Sequence, residues 1–280
     1  MERELKVTVA RHAGYCFGVR DAVAAAFDSA RQSSSVYMLG HIVHNEQVVD
    51  RLAHAGVKVV GSLDEVGADG PLLLRAHGTT VEVQEQIRSR GLQVIDMTCP
   101  LVHQIHDEVK LLAAEGRRII IIGDHGHDEV VGIASQVEKA LVVSSPAEAD
   151  QLPKLRRIGV VSQSTQSLEN VQAVLSRLLL KCVDLRFINT ICFPTKQNQT
   201  EIIDLAQGND VVVIVGSFTS ANTKRLTQIA GGLNPRSHQV ETAAGLQPEW
   251  FDGARSVGVS AGASTPDYLI EDVVRAIEAL

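Results

Sequence analysis

The chain has 280 residues, 45% of them hydrophobic and 21% charged, which is ordinary globular composition with enough apolar mass for two or three modules. Its formal charge of −7 and lack of a concentrated basic run argue against nucleic-acid binding. No apolar run approaches the roughly 20 residues of a spanning helix, and Met1-Glu2-Arg3-Glu4-Leu5-Lys6 lacks an apolar signal core. The expected setting is therefore the cytoplasm, with no membrane partner. There, four dispersed cysteines are expected to be buried or ligating rather than disulfide-bonded.

Leu5 to Ala10 is a β-branched run that predicts a strand, and it feeds Ala13-Gly14-Tyr15-Cys16. A helical pattern over 18–31 leads to strand 36–39, helix 46–55, and strands 57–60 and 71–74. Helix 80–90 and strand 93–96 then reach Asp96-Met97-Thr98-Cys99-Pro100, where the proline can open the next helix. The second module repeats the rhythm with helix 101–115, strands 118–122, 141–143 and 158–161, a helix through Leu180, and strand 184–187. Cys182 falls at the leucine-rich end of that helix and is assigned no role. After Cys192, helix 195–206, strands 210–215, 239–240 and 257–260, and a last helix complete the pattern. Alternating strands and helices call for an α/β fold with mostly parallel sheets.

Ligands of open α/β sheets bind beyond the carboxyl ends of the strands. His44, His77, His127, Ser162, Ser164, Ser217, Ser220, Asn222 and Ser264 all follow predicted strands within a few residues. Several stand just ahead of helices, whose unpaired amides and positive dipole ends suit phosphate. Thr265 before Pro266 reads as a helix cap, and Asn222 as another. His125-Gly126-His127-Asp128-Glu129 admits a zinc reading, although its spacing fits no closed zinc pattern. Cys16, Cys99 and Cys192 stand at module junctions beside glycine or proline. Three soft thiolates can hold an iron–sulfur cluster and leave one iron open as a Lewis acid.

The ordered segments GYCFGV, HIVHN, RAHGT, DMTCPLV, DHGHDEVVG, VSQST, TICFPT, VGSFTSAN and VSAGASTPD resemble those of the LytB-type 4-hydroxy-3-methylbut-2-enyl diphosphate reductases across essentially the whole chain. The resemblance implies three similar α/β modules, 16–98, 99–191 and 1–15 plus 192–280, arranged pseudo-three-fold around a central cluster. It implies a [4Fe–4S] cluster held by Cys16, Cys99 and Cys192. The diphosphate would be held by His44, His77, Ser220, Asn222 and Ser264, with His127 completing the polar pocket. Glu129 would be the proton source, and Ser164 would take the place of a family threonine near the substrate hydroxyl. The implied reaction removes that hydroxyl as water, giving isopentenyl and dimethylallyl diphosphates. Reduced ferredoxin or flavodoxin would supply the electrons.

The chain departs from the family pattern at Asp21 and Asn198, where arginines are usual, and at Ala221, where a serine hydroxyl is lost. These changes leave room for a different hydroxylated, allylic diphosphate-like substrate. A non-enzymatic Fe–S regulatory protein is the reading from another class.

Overall fold

The computed structural model describes residues 5–280. In chain order the first elements are β1 (Lys6–Val9), α1 (Phe17–Gln32), β2 (Val36–Leu39), α2 (Glu46–His54), β3 (Val57–Val60), β4 (Leu72–Leu74), α3 (Val81–Arg90) and β5 (Val94–Asp96). Next come α4 (Pro100–Ala114), β6 (Arg118–Ile122), α5 (Asp128–Ala134), β7 (Leu141–Val143), α6 (Pro146–Gln151), β8 (Leu155–Ser162), α7 (Leu168–Leu178) and β9 (Cys182–Phe187). The chain ends with α8 (Phe193–Gly208), β10 (Val211–Val215), α9 (Ala221–Leu233), β11 (Ser237–Val240), β12 (Ser256–Ala261) and α10 (Asp267–Glu278).

These strands form three parallel, four-stranded sheets with one shared order. The sheets run β3-β2-β4-β5, β7-β6-β8-β9 and β11-β10-β12-β1. Each is a 2-1-3-4 arrangement, and the early strand β1 supplies the fourth strand of the third sheet by pairing with β12 from Lys6↔Ser256 to Val9↔Val259. The chain also divides into two compact units. One comprises residues up to Arg20, Val43–Asp50 and Phe193–Leu280, and the other comprises Asp21–Ile42 and Arg51–Cys192.

The central strands explain why these sheets are buried on both faces. In β6, Ile120 and Ile122 pack into one core with Val160 and Val171, whereas Ile119 and Ile121 pack into another with Val109 and Leu112. In β10, Val211, Val213 and Val215 face α10, while Val212 and Ile214 join Ile202, Leu205 and Leu226. Continuous β-branched runs thus satisfy two cores at once through the two-residue period of a strand. Several helices start on explicit caps: Thr80 accepts from the Val83 amide, Ser145 from Glu148, and Ser167 from Asn170. No described helix is long and apolar enough to cross a membrane.

Three local expectations are corrected. α7 ends at Leu178, and Cys182 is the first residue of β9, paired with Leu155. The leucine run misleads because Leu179 and Leu180 are 62% and 72% exposed in a tight turn rather than packed on a helix face. Thr265 is not a cap: its hydroxyl donates to the Val215 carbonyl at 3.0 Å, Pro266 is the capping residue, and α10 starts at Asp267. Asn222 lies one residue inside α9, which Ser220 caps. The short helix α6 was not foreseen, since six residues carry too little periodicity to announce a helix.

His106 is buried in α4 at 4% exposure. Its Nε2 meets no hydrogen-bond partner among the described residues, and burial with the neighbouring His103 lowers its pKa to about 4 from 6.5. Between those values the unfolded chain takes up a proton that the folded chain refuses, so stability falls as pH drops from about 6.5 towards about 4. Urea unfolding at pH 7 and pH 5 will show a smaller acid loss for His106→Gln than for the parent. An identical loss in both proteins would rule out this buried imidazole as a source of acid sensitivity.

Candidate active site

In each sheet the winding direction reverses between the second and third strands in the order, β2/β4, β6/β8 and β10/β12. A crevice opens beyond the carboxyl ends of such strands. Backbone bonds repeat at all three places. Gly40, Gly123 and Gly216 donate to the last residues of β3, β7 and β11, namely Val60, Val143 and Val240. The candidate site residues lie just beyond the carboxyl ends of these paired strands, in the loops and first helical turns that follow them.

At the β6/β8 crevice stand Glu129 and Ser164. His127 caps α5, its Nδ1 accepting from the Glu129 amide at 3.2 Å, which places Glu129 in the first turn. The Glu129 carboxyl is 1% exposed. Its Oε1 accepts from the Ser164 amide at 2.6 Å and its Oε2 from the Ser164 hydroxyl at 2.7 Å. Burial pushes its pKa above the usual carboxylate range, against the pull of the two Ser164 bonds. A buried carboxyl so placed keeps its proton to higher pH than an exposed one and can release it to a bound group.

The loop after β4 brings His77 beside His127, with ring centroids 5.6 Å apart and planes at 87°. Both rings therefore belong to one cluster with Glu129. His125, by contrast, is exposed and tied to Glu148, with Nε2 to Oε2 at 2.8 Å. Glu148 is in turn held by Ser144, and these bonds lower its pKa to about 2. The zinc reading of His125 and His127 therefore finds two imidazoles engaged in different places. No three His, Cys, Asp or Glu side chains among the described residues gather as ligands of one metal ion.

In the other compact unit, Ser220, Asn222, Ser264 and His44 come together at the β10/β12 crevice. Ser264 donates its hydroxyl to the His44 carbonyl at 3.1 Å and lies 3.4 Å from the Ser220 hydroxyl oxygen. Both polar atoms of Asn222 are buried without a hydrogen-bond partner among the described residues. Because buried amides are rarely left unsatisfied, the orphaned Asn222 beside the first turn of α9 points to a polar ligand. The approach is close: a Cβ on Gly216, at φ +148, would stand 2.7 Å from both Thr223 Oγ1 and Thr265 Oγ1. Glu46, which the sequence pattern does not single out, accepts from Thr219 Oγ1 at 2.9 Å. Its available signal was its place in the first helical turn after His44-Asn45, where Asn45 caps α2.

Cys16, Cys99 and Cys192 occupy equivalent positions. Each immediately precedes a helix of 15 or 16 residues, α1, α4 and α8. Each amide donates to a loop carbonyl from its own sheet: Cys16 to Ala263 at 3.2 Å, Cys99 to Ala76 at 3.0 Å, and Cys192 to Ser164 at 3.0 Å. Helix starts favour the thiolate over the thiol, and all three residues keep partial exposure. Cys182 differs: it opens a strand, packs against the second sheet's core, and burial pushes its thiol pKa up. Three anchored soft donors with no fourth protein thiolate of that kind suit an iron–sulfur cluster better than a closed zinc site.

The LytB protein family matches residues 7–278. The chain belongs to that family. It is 43% identical over 274 residues to the 4-hydroxy-3-methylbut-2-enyl diphosphate reductase of Geobacter metallireducens, covering 98% of this chain and 97% of that one. The Geobacter sulfurreducens protein of the same name is 42% identical over 276 residues, with 98% and 97% covered. A solved structure of (E)-4-hydroxy-3-methyl-but-2-enyl diphosphate reductase, the terminal enzyme of the non-mevalonate pathway, matches with TM-score 0.70 and 39% identity over 99% of this chain and all of that one. The reductase from Plasmodium falciparum matches with TM-score 0.92 and 25% identity over 97% of this chain and 87% of that one. The three parallel-sheet modules are therefore a LytB-family fold. Of the family departures, Asp21 is exposed on α1, whereas Asn198 is 3% exposed within α8.

Proposed function

We propose that this protein is a cytoplasmic iron–sulfur reductase that converts 4-hydroxy-3-methylbut-2-enyl diphosphate to isopentenyl and dimethylallyl diphosphates. The observation that carries the reading is the buried Glu129 carboxyl, held by both donors of Ser164 in a chain of this family. Cys16, Cys99 and Cys192 would hold a [4Fe–4S] cluster, which when bound supplies electrons and a Lewis-acidic corner for the substrate oxygen. Reduced ferredoxin or flavodoxin is the proposed donor.

The chain's own residues bind, orient and protonate. His44, His77, His127, Ser220, Asn222 and Ser264 hold the diphosphate by hydrogen bonds and helix ends rather than by lysines. Ser164 orients Glu129, which holds a proton on its carboxyl and delivers it as the hydroxyl departs. The sum is substrate plus two electrons and two protons, giving product plus water. An anaerobic assay with a low-potential reductant, alongside iron content and absorbance, tests the proposal. Cluster-loaded protein that consumes no hydroxymethylbutenyl diphosphate would favour the second reading, a related hydroxylated diphosphate, for which Ala221 and Asn198 are the motivating departures. The regulatory reading leaves the buried Glu129–Ser164 pair without a purpose.

Ala221 allows a direct test of the diphosphate subsite. It is the first residue of α9, between Ser220 and Asn222. Restoring a hydroxyl with Ala221→Ser will tighten inorganic diphosphate binding by about 1 kcal/mol, roughly fivefold, the usual worth of one hydrogen bond. Calorimetric titration of both proteins checks this. Equal affinities would place the phosphate away from this helix start.

A further inference from the structure

Arg75 stands where three loops meet. It follows β4, two residues ahead of His77, and its Nη1 lies 2.6 Å from Asp128 Oδ2. Asp128 is the first residue of α5, directly between His127 and Glu129. Both side chains of the pair are largely withdrawn from solvent, at 23% and 34% exposure. The same guanidinium lies over the turn after β2. Gly40 there has φ +67, and a Cβ on it would stand 3.2 Å from Arg75 Nη1. Glycine both adopts the left-handed backbone and leaves room for the arginine.

Backbone bonds hold the next residue from two sides. The Ala76 amide donates to the Ile42 carbonyl at 3.2 Å, and the Ala76 carbonyl accepts from Cys99 at 3.0 Å. The His77 loop is thus stitched to the β2 turn and the Cys99 loop by its main chain. Its tie to α5 through Asp128 is a side-chain ion pair. The repeat among the sheets sharpens this point. Ala76, Ser164 and Ala263 are equivalent by their bonds to the three cysteines, so Arg75, Gln163 and Gly262 are equivalent too. Gln163 turns inward to its own sheet, its Oε1 accepting from the Asp124 amide at 2.9 Å, and Gly262 has no side chain. Arg75 instead reaches the helix that carries the neighbouring sheet's histidine and glutamate.

We propose that the Arg75–Asp128 ion pair is a positioning device that sets the spacing between His77 and His127 for the two rings to grip one diphosphate. This rests on the reading of those histidines as diphosphate ligands. Exposed ion pairs contribute little to stability, but this one flanks two imidazoles on separate sheets, and small misplacements of binding groups cost large factors in activity. Its effect is therefore expected in substrate affinity more than in folding.

The test compares the parent with Arg75→Gln, Asp128→Asn and the double variant, all purified anaerobically. Each single change is expected to raise KM about tenfold with kcat within about twofold, and the double variant to be no worse than either single. Asp128→Glu should recover part of the loss, and thermal midpoints should stay within a few degrees of the parent. Additive losses, or a fall in kcat at unchanged KM, overturn the proposal. Calorimetry with inorganic diphosphate provides a second arm that needs no turnover. A parent that fails to reduce the substrate defeats the proposed function, yet a tenfold weaker diphosphate affinity in both singles still supports the positioning role. Equal affinity in parent and singles overturns that role whatever the activity. Should Arg75→Gln fail to fold, Arg75→Lys is expected to show an intermediate affinity, since a compact ammonium on a flexible stem keeps the charge but not the planar guanidinium geometry that meets Asp128. Parent-like affinity in that variant counts against the device.

Discussion

Replacing Glu129 with glutamine will lower turnover by about 10²- to 10⁴-fold, the usual contribution of a positioned general acid, while diphosphate binding stays close to the parent. The amide has nearly the same volume and can still accept from the Ser164 amide, so the fold around α5 and β8 is kept. It has no proton to give. The same variant carries a stability signature. Burial raises the folded pKa of Glu129 above its ordinary 4.5, so the folded chain binds the proton more tightly than the unfolded one. The parent's stability contribution from this group is then present below about pH 4.5 and is lost as pH rises through the folded pKa. Glutamine has no such loss, so its advantage in urea midpoint over the parent will widen between pH 5 and pH 8. A variant that turns over at the parental rate ends the proton-donor role. An unchanged midpoint difference across that range ends the claim that burial costs this carboxyl its charge.

Much of this geometry was legible in the sequence because strand ends are. The isoleucine run of β6 and the valine run of β10 could be placed by composition, and the polar residues just beyond them then had to lie at sheet ends. What could not be read was which ends face one another. Glu129 and Ser164 are 35 positions apart, and their pairing depends on the 2-1-3-4 order that sets β6 beside β8. The same holds for Ser220 and Ser264 beyond β10 and β12. Arg75 and Asp128 left no pattern at all, since a single arginine and a single first-turn aspartate are common anywhere. The error at Cys182 has the opposite cause. Leucines suggested a helix face, but two of them are spent on a solvent-exposed turn before β9. Motif resemblance supplied the reaction, and backbone hydrogen bonds supplied the equivalence of the three cysteine loops.

That equivalence makes the cysteines the place of greatest expected effect. Cys99→Ser will abolish stable iron binding, with iron content after anaerobic reconstitution falling to background, because a serine hydroxyl is a hard, poorly ionised donor beside a soft metal. The protein will still fold. Cys99 sits outside the buried cores, its amide bond to Ala76 is a main-chain contact, and a serine is a better helix cap than a cysteine ahead of Pro100. The same result is expected for Cys16→Ser and Cys192→Ser, each of which stands at the same place before its helix. Cys182→Ser provides the contrast. It changes a residue packed against Leu155 and Leu185 at the margin of a core, so it will cost some stability and leave iron content at the parental level. If Cys182→Ser lost iron as fully as Cys99→Ser, thiol position would not be what selects the ligands. If Cys99→Ser kept full iron, the helix-start cysteines would not be the cluster's anchors and the proposed reduction would lose its electron path.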